Sequence, residues 1–156
     1  MAGEDELERL QQYGADLNFR AGNTNMAIRH SAAGGNVYMY YMEKPGVNEL
    51  YGVLHGGELP YLFDNDMHHV GETFPPKECE FRHEIKEMWV NFAKTGNPSL
   101  NDGEVEGIEA IQWDKFVPDN YPVMVFNSSK TRQENDPVRE GSDLIEDLFW
   151  LRIKNK

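Results

Sequence analysis

Apolar positions recur at helical spacing in some stretches of the chain and run unbroken in others. Asp5 to Tyr13 (DELERLQQY) places Leu7 and Leu10 three apart behind a first turn of acids, which predicts a short polar helix burying a narrow stripe. After Gly14, Asn23 or Thr24 caps a second helix running to about Ala33, where Gly34 and Gly35 end it. Val37 to Met42 (VYMYYM) is apolar and aromatic without polar alternation, the pattern of a strand covered on both faces, usually in a parallel sheet. Pro45 and Gly46 break it, and NELYGVLHGGELPYLF reads as a loop with a histidine among glycines. From Pro76 a long helix follows, with Ile85, Met88, Trp89 and Phe92 on one face and Lys94 ahead of the stop at Gly96, Asn97 and Pro98. Ser99 to Gly107 is an acidic loop, Trp113 to Tyr121 is irregular, and Pro122 to Phe126 (PVMVF) is a second strand. Ser142 caps a last helix, DLIEDLFWLRI.

The order helix, strand, loop, helix, strand, helix makes the class α/β. Two strands are too few for the usual sheet of about four to six, so the chain is expected to complete a larger sheet whose remainder lies on other sequence. Its 156 residues suit one domain, or a piece of one, at roughly 150 residues per domain. Composition, 39% hydrophobic and 27% charged, is that of a globular chain, and a net charge of −12 disfavours nucleic acid and anionic membranes as partners. The lone Cys79 closes no intrachain disulfide and reads as a partly buried, inert thiol. The start, MAGEDELERL, is acidic where a secretory signal is basic and then apolar, and no run approaches the ~18 apolar residues of a membrane span.

Among the five histidines, His55 stands out because Gly52, Gly56 and Gly57 surround it just after the first strand. A loop at a strand's carboxyl end can hold an imidazole, which titrates near neutrality, against a nucleophile supplied from elsewhere. The plainer alternative is a loop histidine satisfied by hydrogen bonds. His68 and His69 beside Asp66 read as a solvated loop, since adjacent side chains on an extended segment point apart. Asn127-Ser128-Ser129 has the form of a glycosylation acceptor, meaningful only in a secreted protein. Met88, Trp89 and Phe92 read as helix core, and no cofactor or metal site is expected.

YGVLHGGELPYLF at Tyr51 to Phe63, followed by MWVNFAKTGNP at Met88 to Pro98, resembles the C-terminal region of the type-B carboxylesterases, the family of cholinesterases, juvenile-hormone esterases and the noncatalytic neuroligins. Supporting matches are Asp16 with Ala27, the strand VYMYYM, Trp113, and Phe149 with Trp150, so the resemblance covers about residues 16–152. It implies that residues 1–156 are the C-terminal part of an α/β-hydrolase domain and that His55 matches the triad histidine, which takes the proton of a serine as it attacks an ester. Glu58 matches a family glutamate near the site and takes a supporting role beside His55, not that of the triad acid. Gly56 and Gly57 are structural, allowing close approach in the histidine loop.

No G-x-S-x-G occurs: Ser31, Ser99, Ser128, Ser129 and Ser142 all lack the flanking glycines. The serine, triad acid and oxyanion hole are therefore expected on a serine-bearing N-terminal part of the same fold, and the chain alone is expected to be inactive toward carboxylic esters. The family's cysteine pair falls at Ala21 and Asp147, which favours a reducing, cytoplasmic setting unless the chain is a fragment of a longer secreted precursor. Leu50 and Asp64 replace a tryptophan and a glycine of the cholinesterases, which argues against a choline-selective site. The alternative function is a neuroligin-like, noncatalytic module that binds a protein partner.

Overall fold

A computed structural model describes residues 2–44, 52–63, 76–135 and 147, and the chain divides into two compact units. The first comprises Met1–Val37, Val117–Tyr121 and Asn135–Lys156; the second comprises Tyr38–Phe116 and Pro122–Glu134.

In the first unit, helix α1 (Ala2–Ala15) continues through a single π-helical segment, Asp16–Arg20, into α2 (Ala21–Ala32). The expected break at Gly14 and cap at Asn23 or Thr24 are absent. The Ala21 N–H bonds the Asp16 carbonyl across the π segment, so no helix start exists to need a cap, and Arg20 itself is α-helical. Asp16 is buried there, its carboxylate accepting from Arg20 Nη1 at 2.7 Å and from Gln12 Nε2 at 3.3 Å. The buried face of α2 is Ala21, Thr24 and Ala27. Leu7 and Leu10, expected as a buried stripe, are exposed. The C-terminus closes as predicted at the glycine pair: Gly35 N bonds His30 O, Gly34 N bonds Ser31 O, and Gly34 takes φ +85°.

The second unit holds a three-stranded sheet in the order β1 (Met39–Met42), β2 (Pro122–Phe126), β3 (Arg132–Asn135). β1 and β2 are parallel, with Met39 opposite Val123 and Met42 opposite Phe126. β2 spans the predicted residues and is buried at every position, with Pro122 at its first position, where a missing N–H costs no ladder bond. β1 is shorter than VYMYYM, and Tyr40, Tyr41 and Met42 are half-buried, so its cover is incomplete where two faces were expected. β3, Arg-Gln-Glu-Asn, was not expected, because a polar alternating tetrapeptide has no apolar signature; its ladder with β2 makes it a strand.

Against this sheet packs the long helix α4 (Pro76–Thr95), ending as predicted at Gly96, whose N–H bonds Phe92 O at φ +74°. Its buried residues are Phe81, Ile85 and Met88, which join Tyr61, Leu100, Val105, Trp113, Met124 and Phe126 in the core. Trp89 is partly buried against them, whereas Phe92, expected in that core, is nearly half exposed and keeps an edge contact with Tyr38. Cys79 is also exposed, not partly buried, because it lies off the Phe81, Ile85, Met88 stripe. The stretch read as a loop before α4 contains a short helix, α3 (Leu59–Phe63), which buries Pro60 and Tyr61. Pro45 to Tyr51, Asp64 to His69 and the final helix lie outside the described residues, except that Asp147 is helical and exposed.

Among α4's residues Glu84 is a half-buried carboxylate, with Oε1 lacking a partner among the described residues. Burial pushes its carboxyl above the ordinary value of 4.5.

Two outcomes follow from this packing. Ile85→Ala should cost about 2–5 kcal/mol in urea denaturation, since the side chain is fully enclosed. Glu84→Gln should leave the urea midpoint unchanged well below the carboxyl's unfolded value and raise it once the pH exceeds that value. A carboxyl with a raised folded-state pKa loses stability as the pH climbs from its unfolded to its folded value and no more beyond it, and an amide does not.

Candidate functional site

Parallel pairing brings the carboxyl ends of β1 and β2 together, and Glu43 is the first residue beyond β1. Its N–H bonds Phe126 O at 2.9 Å, extending the ladder by one step. Its carboxylate accepts both terminal nitrogens of Arg132, Nη1 at 3.0 Å and Nη2 at 2.9 Å, and Asn127 Nδ2 at 3.1 Å. Arg132 Nε also donates to Glu134. The guanidinium holds the Glu43 carboxyl below the usual value, and the two carboxylates push Arg132 up. Asn127 is further committed by Ser129 N, which donates to its Oδ1 at 2.9 Å. Lys44 follows with an ion pair to Glu78 on α4 at 3.1 Å.

His55 lies farther along, in a tight turn. Gly57 N bonds Leu54 O at 3.0 Å and Gly56 has φ +76°, so Leu54-His55-Gly56-Gly57 has the hydrogen bond and positive third-residue φ of a type II turn, with His55 at its second position. Only glycine takes that φ freely at 56. At 57 a Cβ would stand 3.0 Å from the Leu54 carbonyl oxygen, so a side chain there would open the turn. Leu59 N bonds Gly56 O, and Tyr61 N and Leu62 N bond Glu58 O, which runs the turn into α3. The His55 side chain is exposed and Glu58 is half-buried.

Glu58 is tied back to the sheet. Tyr40, in the middle of β1, donates its hydroxyl to Glu58 Oε1 at 3.2 Å. The Tyr40 ring sits edge-on to Trp89 at 5.0 Å and to Phe126 at 5.7 Å between centroids. Burial, together with the Glu58 charge, pushes the Tyr40 hydroxyl up to about 12, so it remains a donor at every physiological pH. Tyr40 was missed in the sequence. Tyr38, Tyr40 and Met42 face the core while aromatic or apolar residues also occupy the positions between, so the run showed no alternation to mark an inner face.

The structure thus gathers His55, Gly56, Gly57 and Glu58 into one turn. Among the described serines, Ser99 is buried, with Oγ accepting from Trp113 N at 3.0 Å, and Ser128 lies in the link between β2 and β3. Ala21 is buried in α2 and Asp147 is exposed. A cleft of about 510 Å³ lies between α4 and the β2–β3 hairpin, lined by Glu84, Ile108, Lys130 and Arg132 among others; the histidine turn does not line it. Among the described residues no group of three or more His, Cys, Asp or Glu side chains is placed to hold a metal ion, and no helix is long and apolar enough to cross a membrane.

Residues 2–143 match the family model described as the carboxylesterase family. Acetylcholinesterase 1 of Caenorhabditis elegans is 28% identical over 152 residues, 94% of this chain and 24% of that protein. The para-nitrobenzyl esterase of Bacillus subtilis (strain 168) is 31% identical over 111 residues, 67% of this chain and 20% of that protein. Among solved structures, a Geobacillus stearothermophilus carboxylesterase superposes with TM-score 0.54 at 25% identity, over 74% of this chain and 23% of that one. A thermophilic para-nitrobenzyl esterase gives TM-score 0.55 at 26% identity over 71% and 22%. The chain spans about a quarter or less of the length of these relatives. Its parallel β1–β2 pair and its packed helices are part of an α/β-hydrolase fold, and the chain belongs to the carboxylesterase family.

Proposed function

We propose that this chain is the histidine-bearing part of a serine carboxylic-ester hydrolase. His55 acts as general base: it takes the proton of a serine hydroxyl as that oxygen attacks the ester carbonyl, then returns it to the departing alcohol oxygen as the acyl-enzyme forms. Water then enters by the same route, giving its proton to the imidazole as it attacks the acyl carbonyl, and the serine oxygen recovers that proton on leaving. Glu58 supports His55 from the same turn. The serine, the triad acid and the oxyanion donors come from sequence outside these 156 residues, which contain no G-x-S-x-G. That serine-bearing part pairs along the outer edge of β1, the end strand of the sheet, which has no partner strand among the described residues.

The observation that carries this reading is the exposed imidazole at the second position of a glycine-built turn, twelve residues beyond the first residue after a parallel strand and joined to that strand through Glu58 and Tyr40. A noncatalytic, neuroligin-like module binding a protein partner has no chemical use for an imidazole so placed.

The purified chain should show no p-nitrophenyl ester hydrolysis above background, because without a nucleophile there is no acyl-enzyme route. Turnover with a covalent adduct mapped to a serine of this chain would overturn the proposal. Joined to a serine-bearing part, His55→Ala should lower kcat by about 10⁴-fold with assembly intact by size-exclusion chromatography. Unchanged turnover would favour the interaction module.

A further inference from the structure

Tyr40 reaches across 18 positions of sequence to bond Glu58, from inside a cage of other rings. Trp89, Phe126 and Trp113 stand edge-on to it at 5.0, 5.7 and 6.4 Å between centroids. A ring held on several sides delivers its hydroxyl to one place, and that place is Glu58 Oε1. Glu58 is also where the chain changes from turn to helix, since its carbonyl accepts from the N–H groups of Tyr61 and Leu62 in α3. One bond upstream, the Gly57 to Leu54 hydrogen bond closes around His55. The path from a rigid strand side chain to the imidazole is therefore short: the phenol-to-carboxylate hydrogen bond joins β1 to Glu58, and the covalent chain from Glu58 back to His55 does the rest.

We infer that Tyr40 is a positioning residue, fixing through Glu58 the direction in which the turn presents His55. The inference rests on the reading of His55 as the proton acceptor, but the ring and the hydroxyl do separable work. The ring fills the core with Trp89 and Phe126 and would do so as phenylalanine. The hydroxyl contributes nothing to that packing and serves the turn alone.

Tyr40→Phe deletes the hydroxyl and keeps the ring. By amide hydrogen exchange on the full chain, Tyr40→Phe and Glu58→Gln should each speed exchange at Gly52 to Glu58 by roughly tenfold and leave β2 protected, and the double variant should do no more than either alone. Tyr40→Leu, which also empties the cage, should loosen β2 as well. With the serine-bearing part attached, Tyr40→Phe should lower kcat for p-nitrophenyl acetate by roughly tenfold with KM unchanged, the mark of lost orientation rather than lost binding.

The inference fails if Tyr40→Phe leaves exchange in the turn unchanged, if its effect adds to that of Glu58→Gln, or if it loosens β2 as Tyr40→Leu does. An unchanged turnover in His55→Ala would instead sink the general-base reading, and the exchange result would still decide whether Tyr40 holds the turn.

Discussion

Parallel pairing of a half-covered strand with a wholly buried one is the constraint on which the second unit depends. A parallel ladder sends both chains the same way, so whatever leaves β1 and β2 leaves at the same edge. Buried at all five positions, β2 cannot shift register without exposing its side chains, and β1 inherits that rigidity through the ladder. Glu43, Asn127 and the route to the histidine turn all begin at that edge. The ring cluster around Phe126 and Trp113 then joins sheet to helix, so strand position and α4 position are set together.

Electrostatics adds orientation more than stability. In a chain with 27 acidic and 15 basic side chains, the cations are spent at joints: Arg20 on Asp16, Lys44 on Glu78, Arg132 between Glu43 and Glu134. Pairs as exposed as Arg132 with Glu43 are screened by solvent and add little stability, so their effect is to hold strand ends in register and direction. Glu43 and Glu84 show what environment does to the same side chain. A bidentate guanidinium favours the charged form of the first, and burial disfavours the charged form of the second.

The legible parts of the fold were those in which local chemistry and tertiary context agree. PVMVF reads as a short strand and is one, and the glycine pair after Ala33 and Gly96 after α4 end their helices as local rules require. What escaped was decided by partners distant in sequence. Arg132 to Asn135 is a strand because β2 offers it a ladder, and α3 forms because Tyr61 finds Phe81. Exposure of Cys79 and Phe92 depends on how far the cover of α4 extends, which helical spacing alone leaves open. For the candidate site, the glycines marked the turn, whereas Tyr40 was invisible, because a hydrogen bond made by a strand aromatic leaves no trace in local composition.

The π segment between α1 and α2 has a consequence for how this chain can change. Five residues close one wide turn there, with the i to i+5 bond from Ala21 to Asp16 where an α-helix would bond one residue nearer. Deleting one of them would let the ladder close as ordinary helix with everything downstream keeping its phase about the axis, because a π turn spreads five residues over nearly the rotation that an α-helix covers in four. The small residues Ala21, Thr24 and Ala27 would therefore stay on the enclosed face. The π turn thus absorbs one residue without turning the helix beyond it, so this stretch can lose that residue at a smaller cost in burial than an uninterrupted α-helix could.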